Sequence, residues 1–461
     1  MAICLIVAQS RNDSDLRTPA LGRKVLVSET PTIEATLRRD GAIVMIYRPT
    51  RRDQAVSVLV RWLALLALTL GGVAESYAAQ TNEAAPVQVS SGISYMFIGR
   101  WDVDRLNQIL TADTPKFFGV NVAYTPARNA VKLYRVTYAS VIPERGNKPT
   151  VATGLLAVPD TGAASFPMLS YQHGTVYGKQ EVPSFPDQSP ETQLMLAEFA
   201  GQGYVMVGAD YFGMGLSDEP EGYVVKASHQ QATYDLLIAS RDVLDHMGVS
   251  TPKLFLGGWS QGGFVTMAFL EKLEDSGVPV AAAATASAPV DAFALVSGAL
   301  DFPRKNDAPW LTTIVILSAF SFETYYGIPG LARSVIADAS YDAARKLYEK
   351  QPVDIAEIPT DLHKLVRAEY FDPQFFAASA YGRLLSEKTT AYRRIVKSPV
   401  RNYYGEADEA IPIGLGRLAM TYQRAIGAGN MQVEAISTGE TDHRGTFATA
   451  APQWKAWFDG L

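Results

Sequence analysis

Five residues constrain this chain more than any other feature: Gly258-Trp259-Ser260-Gln261-Gly262, a serine with a glycine two positions to either side. They follow an apolar run at 253–257 and precede a run with helical spacing at 262–273. A chain that turns from strand into helix within so few residues leaves no room for a Cβ at the flanking positions, and glycine supplies that room. The central residue then takes a strained backbone conformation that lifts its side chain above the end of the sheet. Gly263 gives similar relief where the helix packs on the strand. A serine hydroxyl is a weak nucleophile at neutral pH, so this arrangement needs an imidazole base, itself oriented by a carboxylate.

The chain has five histidines. His229 and His246 fall in or beside a helical run ahead of the serine, where structural or solvated roles are expected. His363 lies in a helix-rich stretch, and His173 precedes the serine in the chain. His443, in Thr441-Asp442-His443-Arg444-Gly445, follows a strand-like run ending near Ser437 and sits in a loop, so it is the expected base. The acid should follow the preceding strand. Asp408 leads there, in competition with Glu406, Glu409 and Asp442.

Around these residues the segments alternate. The β-rich runs at 131–142 and 150–158 flank a turn and read as a hairpin. Short apolar runs at 167–172 and 204–211 read as buried strands, and 254–257, 280–286, 398–404 and 431–437 read as further strands. Helical spacing covers 228–247, ending at Gly248, then 262–273 and the tail 447–461. Such alternation predicts an α/β fold, a mostly parallel central sheet with helices on both faces. The pattern breaks at 290–396. This stretch is helix-rich and aromatic, with Trp310, Phe322, Tyr325, Tyr370, Phe376 and Tyr381 among its rings, and reads as an inserted helical layer over the sheet. Most of the rings are expected to form its own core. Ser340 is placed as the cap of a helix over 341–350.

The N-terminal 79 residues read as targeting sequence. The apolar run at 63–74 is too short to span a bilayer, which takes about 20 residues. It fits the hydrophobic region of a signal peptide, with Arg48, Arg51, Arg52 and Arg61 ahead of it and Ser76-Tyr77-Ala78-Ala79 as the cleavage region. Met45 stands just before that basic stretch, so 45–79 is expected to be the signal peptide and 1–44 an upstream extension. The mature protein would then be secreted or periplasmic, with no stable membrane span. The sole cysteine is Cys4, which excludes disulfides and a thiol nucleophile in the main body. A net charge of −6 excludes an electrostatic footing for nucleic acid. No His/Asp/Glu cluster has metal-ligand spacing and no dinucleotide fingerprint follows a strand, so no metal or cofactor is expected.

Ser260, Asp408 and His443 come in the chain order of the α/β-hydrolases. The octet Gly405-Glu406-Ala407-Asp408-Glu409-Ala410-Ile411-Pro412 resembles their acid loop, which places the acid on Asp408. His173-Gly174 resembles their oxyanion loop, and 209–217 (ADYFGMGLS) is similar to the D-x-x-G-x-G-x-S loop after the next strand. The resemblance covers about 130–290 and 396–461, and is nearest to exported bacterial esterases and lipases with a helical cap. It implies a hydrolase core over 80–289 and 397–461, with 290–396 as cap. It also implies hydrolysis of a small-molecule ester through an acyl-enzyme on Ser260. The backbone N–H groups of Gln261 and Thr175 would form the oxyanion hole, with His173 organising the loop. Residue 175 is Thr where a glycine-rich version, associated with tertiary-alcohol esters, has a further Gly. An exported serine peptidase and a non-catalytic binding protein of the same fold are the competing readings.

Overall fold

The structure is a computed structural model that describes residues 32–37, 43–48, 85–428 and 432–461. The chain divides into two units, Met1–Asn82 and Glu83–Leu461. In the first, β1 (Thr32–Leu37) pairs antiparallel with β2 (Ile43–Arg48), Thr32 opposite Arg48. The rest of the expected extension and signal peptide lies outside the described residues.

The second unit is built on a ten-stranded sheet. Its strands are β3 (Val87–Ser90), β4 (Ile93–Trp101), β5 (Ala130–Ile142), β6 (Lys148–Asp160), β7 (Met168–Gln172) and β8 (Val205–Ala209). They continue with β9 (Leu254–Trp259), β10 (Ala282–Ala286), β11 (Val400–Tyr404) and β12 (Val433–Ser437). The order is β12-β11-β10-β9-β7-β8-β6-β5-β4-β3. From β12 through β8 every pairing is parallel, and from β8 through β3 every pairing is antiparallel.

The expectation of a mostly parallel sheet is therefore corrected: the sheet is mixed. The expected hairpin is there: β5 and β6 are joined by a short turn with Gly146 and Asn147 in the left-handed region, and so short a link permits only antiparallel pairing. What enlarges the antiparallel part is that β6 also pairs antiparallel with β8. β3 and β4 extend the same meander and went unread in the sequence. The alternation of β4 is interrupted by a register shift between Phe97 and Gly99, which blurs its period.

Parallel strands buried on both faces keep a period of two in what each side chain meets. In β9, Leu254 and Leu256 join one core cluster with the helices Lys226–His246 and Gln261–Asp275. Phe255, and Ala282, Ala284 and Ala286 of β10, join the other with the helices Pro190–Glu198 and His443–Asp459. The closing helix starts at His443 rather than 447, because the Asp442 carboxylate caps it by accepting the Gly445 N–H at 2.6 Å.

Between β10 and β11 lie several helices, among them Ala292–Asp301, Leu311–Tyr325, Asp338–Tyr348 and Ala380–Lys388. Phe320, Phe322, Tyr325, Tyr370, Phe376 and Tyr381 are buried, as expected of an internal core, and that core is continuous with the cluster on the sheet. Ser340 is not a cap: its helix begins at Asp338, and its hydroxyl faces the Lys364 carbonyl instead. Among the described residues no helix is long and apolar enough to cross a membrane.

Candidate active site

Because β7, β9, β10, β11 and β12 run in one direction, the loops after their C-terminal ends converge. Open α/β sheets form their binding crevices at this edge. Ser260 follows β9 at once, with φ 55° and ψ −123°, and stands just ahead of the helix Gln261–Asp275 with its side chain free of any capping bond. That left-handed φ costs energy for a residue with a Cβ and is held by the packing around it. A Cβ at Gly258 would collide with the Gly262 carbonyl, and one at Gly262 with the Gln172 carbonyl. Both glycines are thus required by close approach, as the spacing implied. Gly263 likewise makes room for Ala288.

Ser260 Oγ lies 2.9 Å from His443 Nε2. His443 Nδ1 lies 3.1 Å from each carboxylate oxygen of Asp408. A carboxylate can only accept, so Nδ1 carries the proton and Nε2 is left to accept from the Ser260 hydroxyl. Asp408 also accepts from the Ser287 hydroxyl at 2.5 Å and from the Ala410 and Ile411 N–H groups, each at 2.8 Å. Burial alone would push its carboxyl up. The charge and hydrogen bond of His443, with the Ile411 N–H and the Ser287 hydroxyl, outweigh burial and hold it below the usual carboxylate range.

The other three acids are engaged elsewhere. Glu409 accepts the backbone N–H of His443 at 2.9 Å, and Glu406 accepts from Ser437 at 2.7 Å. Asp442 caps the helix. Ser287 escaped the sequence reading, since a Ser-Ala-Pro after a strand carries no motif. Its φ of 48° turns the chain sharply off β10 toward the acid loop.

His173 is fully buried and not a base for Ser260. Its Nδ1 lies 2.8 Å from the Gly174 carbonyl and Nε2 3.2 Å from the Asp210 carbonyl, and its ring stacks on Tyr211. Burial lowers its pKa to about 4. His229 is also buried, stands edge-on to Tyr211 and is lowered to about 3, chiefly by burial. His363 stacks on Phe371, away from this site.

Two cavities meet at Ser260. The inner one is small, about 20 Å³, and almost wholly apolar, lined by Val224, Leu295, Val296, Ile314, Leu385 and Ile411 among others. The outer one is wider and more polar, and includes Thr175, Tyr177, Trp259, Glu409, His443 and Arg444. Trp310 lines both, with its ring 5.5 Å from that of His443. Of the insertion aromatics named from the sequence, Trp310 alone lines these cavities. Phe322 and Tyr325 are packed inside, with the Tyr325 hydroxyl bonded to the Pro220 carbonyl. The Tyr177 and Thr313 hydroxyls, 2.8 Å apart, tie the loop after β7 to the helix Leu311–Tyr325. Thr175 Oγ1 meets the Tyr223 hydroxyl at 2.9 Å.

The fold recurs in solved structures. A protein of Legionella pneumophila superposes at a TM-score of 0.70 with 21% identity, covering 81% of this chain and 97% of its own. LipA, the rice cell wall degrading esterase of Xanthomonas oryzae, gives 0.65 and 19%, covering 82% and 98%. Candida antarctica lipase A gives 0.51 and 15%, covering 75% and 77%. No protein-family model matches the chain, and no curated protein matches it in sequence. Sheet order, strand-end site and these superpositions agree: the chain has the α/β-hydrolase fold.

Proposed function

We propose that the protein is a serine carboxylic-ester hydrolase. One observation carries the reading: an unbroken hydrogen-bonded path from Asp408 through His443 to Ser260, opening onto an apolar cavity. Ser260 Oγ attacks the ester carbonyl carbon while His443 Nε2 takes its proton. The tetrahedral oxyanion is held by the N–H of Gln261, at the positive end of a 15-residue helix, and by the N–H of Thr175. Collapse expels the alcohol, protonated by His443, and leaves an acyl-enzyme. Water, deprotonated by His443, then releases the acid. Asp408 holds the imidazole tautomer and stabilises the imidazolium.

The inner cavity is small, about 20 Å³, and its apolar lining suits the first carbons of a short acyl group, each buried methylene contributing about 0.8 kcal/mol. The outer cleft, with Trp259, Trp310 and Tyr177, suits the alcohol side, including aromatic alcohols. The helices between β10 and β11 act as the cap that closes the inner cavity, and the signal-like N-terminus takes the protein out of the cytoplasm. That LipA is an esterase and the Candida protein a lipase supports the ester class. Parallel assays on p-nitrophenyl butyrate and an aminoacyl p-nitroanilide test the reading. Turnover of the ester alone is expected, and turnover of the anilide alone would make the protein a peptidase.

A further inference from the structure

Glu191 is a carboxylate in a place where carboxylates are costly. It stands in the first turn of Pro190–Glu198, 4% exposed, beneath the loop that follows β7. Both its oxygens accept the Gly174 N–H at 3.0 Å, and one accepts the Tyr171 hydroxyl at 2.7 Å. Tyr171 is itself fully buried on β7. Burying an ionised carboxylate is unfavourable unless such donors offset it. None of these bonds reaches Ser260, His443 or Asp408.

What they hold is the peptide chain from His173 to Thr175. Gly174 has no side chain to restrict its dihedrals, so outside bonds must set them. The Gly174 carbonyl and the Thr175 N–H share one planar trans peptide and therefore point in opposite directions. The neutral His173 ring carries one proton, and the shorter contact, 2.8 Å to the Gly174 carbonyl, puts it on Nδ1. That bond turns the Thr175 N–H away from the ring. Glu191 fixes the peptide before it, through the Gly174 N–H. The Tyr211 hydroxyl donates to the His173 carbonyl at 3.1 Å and closes the third side. With both flanking planes fixed, the dihedrals of Gly174 are determined, and so is the aim of the Thr175 N–H.

We propose that Glu191 is a positioning residue for the ester hydrolysis, acting through Gly174 to aim the Thr175 N–H at the developing oxyanion. The inference rests on the Ser260 reading above. It places a determinant of rate outside the triad, on a helix that supplies no reacting group.

The test compares wild type, Glu191→Gln and Tyr171→Phe, with active sites counted by fluorophosphonate titration and turnover expressed per titrated site. In Glu191→Gln the amide keeps one acceptor oxygen but sets an N–H₂ group against the Gly174 N–H. Its kcat per titrated site should fall roughly 10–100-fold with KM within about threefold, since misplacing one oxyanion donor acts on the transition state and not on substrate binding. Affinity for a boronic acid that mimics the tetrahedral adduct should fall by a similar factor. Tyr171→Phe leaves the Gly174 bond intact and should lower kcat by less than about threefold. A merely structural Glu191 would change the titratable fraction and the melting temperature while leaving turnover per titrated site at the wild-type value, and that result overturns the proposal. A wild type that takes up no fluorophosphonate overturns the Ser260 reading and this inference with it. A wild type that labels, beside a Glu191→Gln that turns over normally, overturns this inference alone.

Discussion

Ser260 at φ 55° and Asp408 with its several donors show how individual residues are committed to the site. Removing the hydroxyl in Ser260→Ala should lower kcat by about 10⁶ with the fold unchanged, because nucleophile and base act as one unit. An ester assay with circular dichroism as the folding control checks this, and retention of more than a few per cent of activity would refute the role. For the acid, Asp408 is the proposed choice among four candidates, on its contact with His443 Nδ1. Asp408→Ala should cost about 10⁴ in kcat, the scale of a lost triad acid. Glu406→Ala and Asp442→Ala should cost far less, and Glu409→Ala only what loosening of the His443 backbone brings. If Asp442→Ala proved the most damaging of the four in the same assay, the acid would need reassignment. Asp442→Ala should instead lower stability by about 1 kcal/mol through loss of the helix cap. The sequence pointed to Ser260 and His443 as the proposed nucleophile and base because glycine spacing and loop position leave few alternatives. It could not show Ser287 or Glu191, whose roles arise only when distant strand ends come together.

At the level of elements, the elbow between β9 and its helix and the helices between β10 and β11 carry the site. The elbow was legible because its glycines answer to close approach, a requirement that leaves a mark on residue type. The helical stretch was legible as an insertion but not in detail, since a buried aromatic and a substrate-facing one look alike in sequence. Phe322 and Tyr325 turned out to be core, and Trp310 to line both cavities. Trp310→Ala should therefore widen the passage between acyl and alcohol sides. The ratio of kcat/KM for a hexanoyl ester to that for an acetyl ester should rise roughly tenfold or more, the scale on which a pocket discriminates added methylenes. Equal losses on both esters in a p-nitrophenyl series would show that Trp310 supports folding and nothing more. Phe322→Ala, in contrast, should destabilise the protein by about 3–5 kcal/mol, the cost of a large cavity.

Across the whole molecule, buried ionisable groups set how stability follows pH. Burial raises Glu191 to about 7 and Glu198 to about 8 from 4.5. Between those values the native state keeps protons that the unfolded chain has released, so stability falls as pH rises from 4.5 toward 8. Burial lowers His173 to about 4 and His229 to about 3 from 6.5. There the unfolded chain binds protons that the native state refuses, so stability falls as pH drops below 6.5. The two slopes oppose each other between 4.5 and 6.5, and burial also raises Asp210 and Glu221, which adds to the fall with rising pH, so the melting temperature should peak inside that window and decline above it. Calorimetry across pH checks it, and a melting temperature still climbing at pH 8 would contradict it. The overall architecture was legible where strands and helices alternate and in the hairpin of β5 and β6, and misread in how far the antiparallel part extends through β3, β4 and the pairing of β6 with β8, because a strand's own residues do not say which way its neighbour runs. What unites the scales is one claim, that His443 and Asp408 activate Ser260. Fluorophosphonate labelling, read by mass spectrometry of the labelled peptide, tests it without knowledge of the substrate. The account predicts one phosphonyl adduct on Ser260 in the wild type and none at that site in His443→Ala. A wild type left unmodified, or modified elsewhere with Ser260 intact, would contradict it.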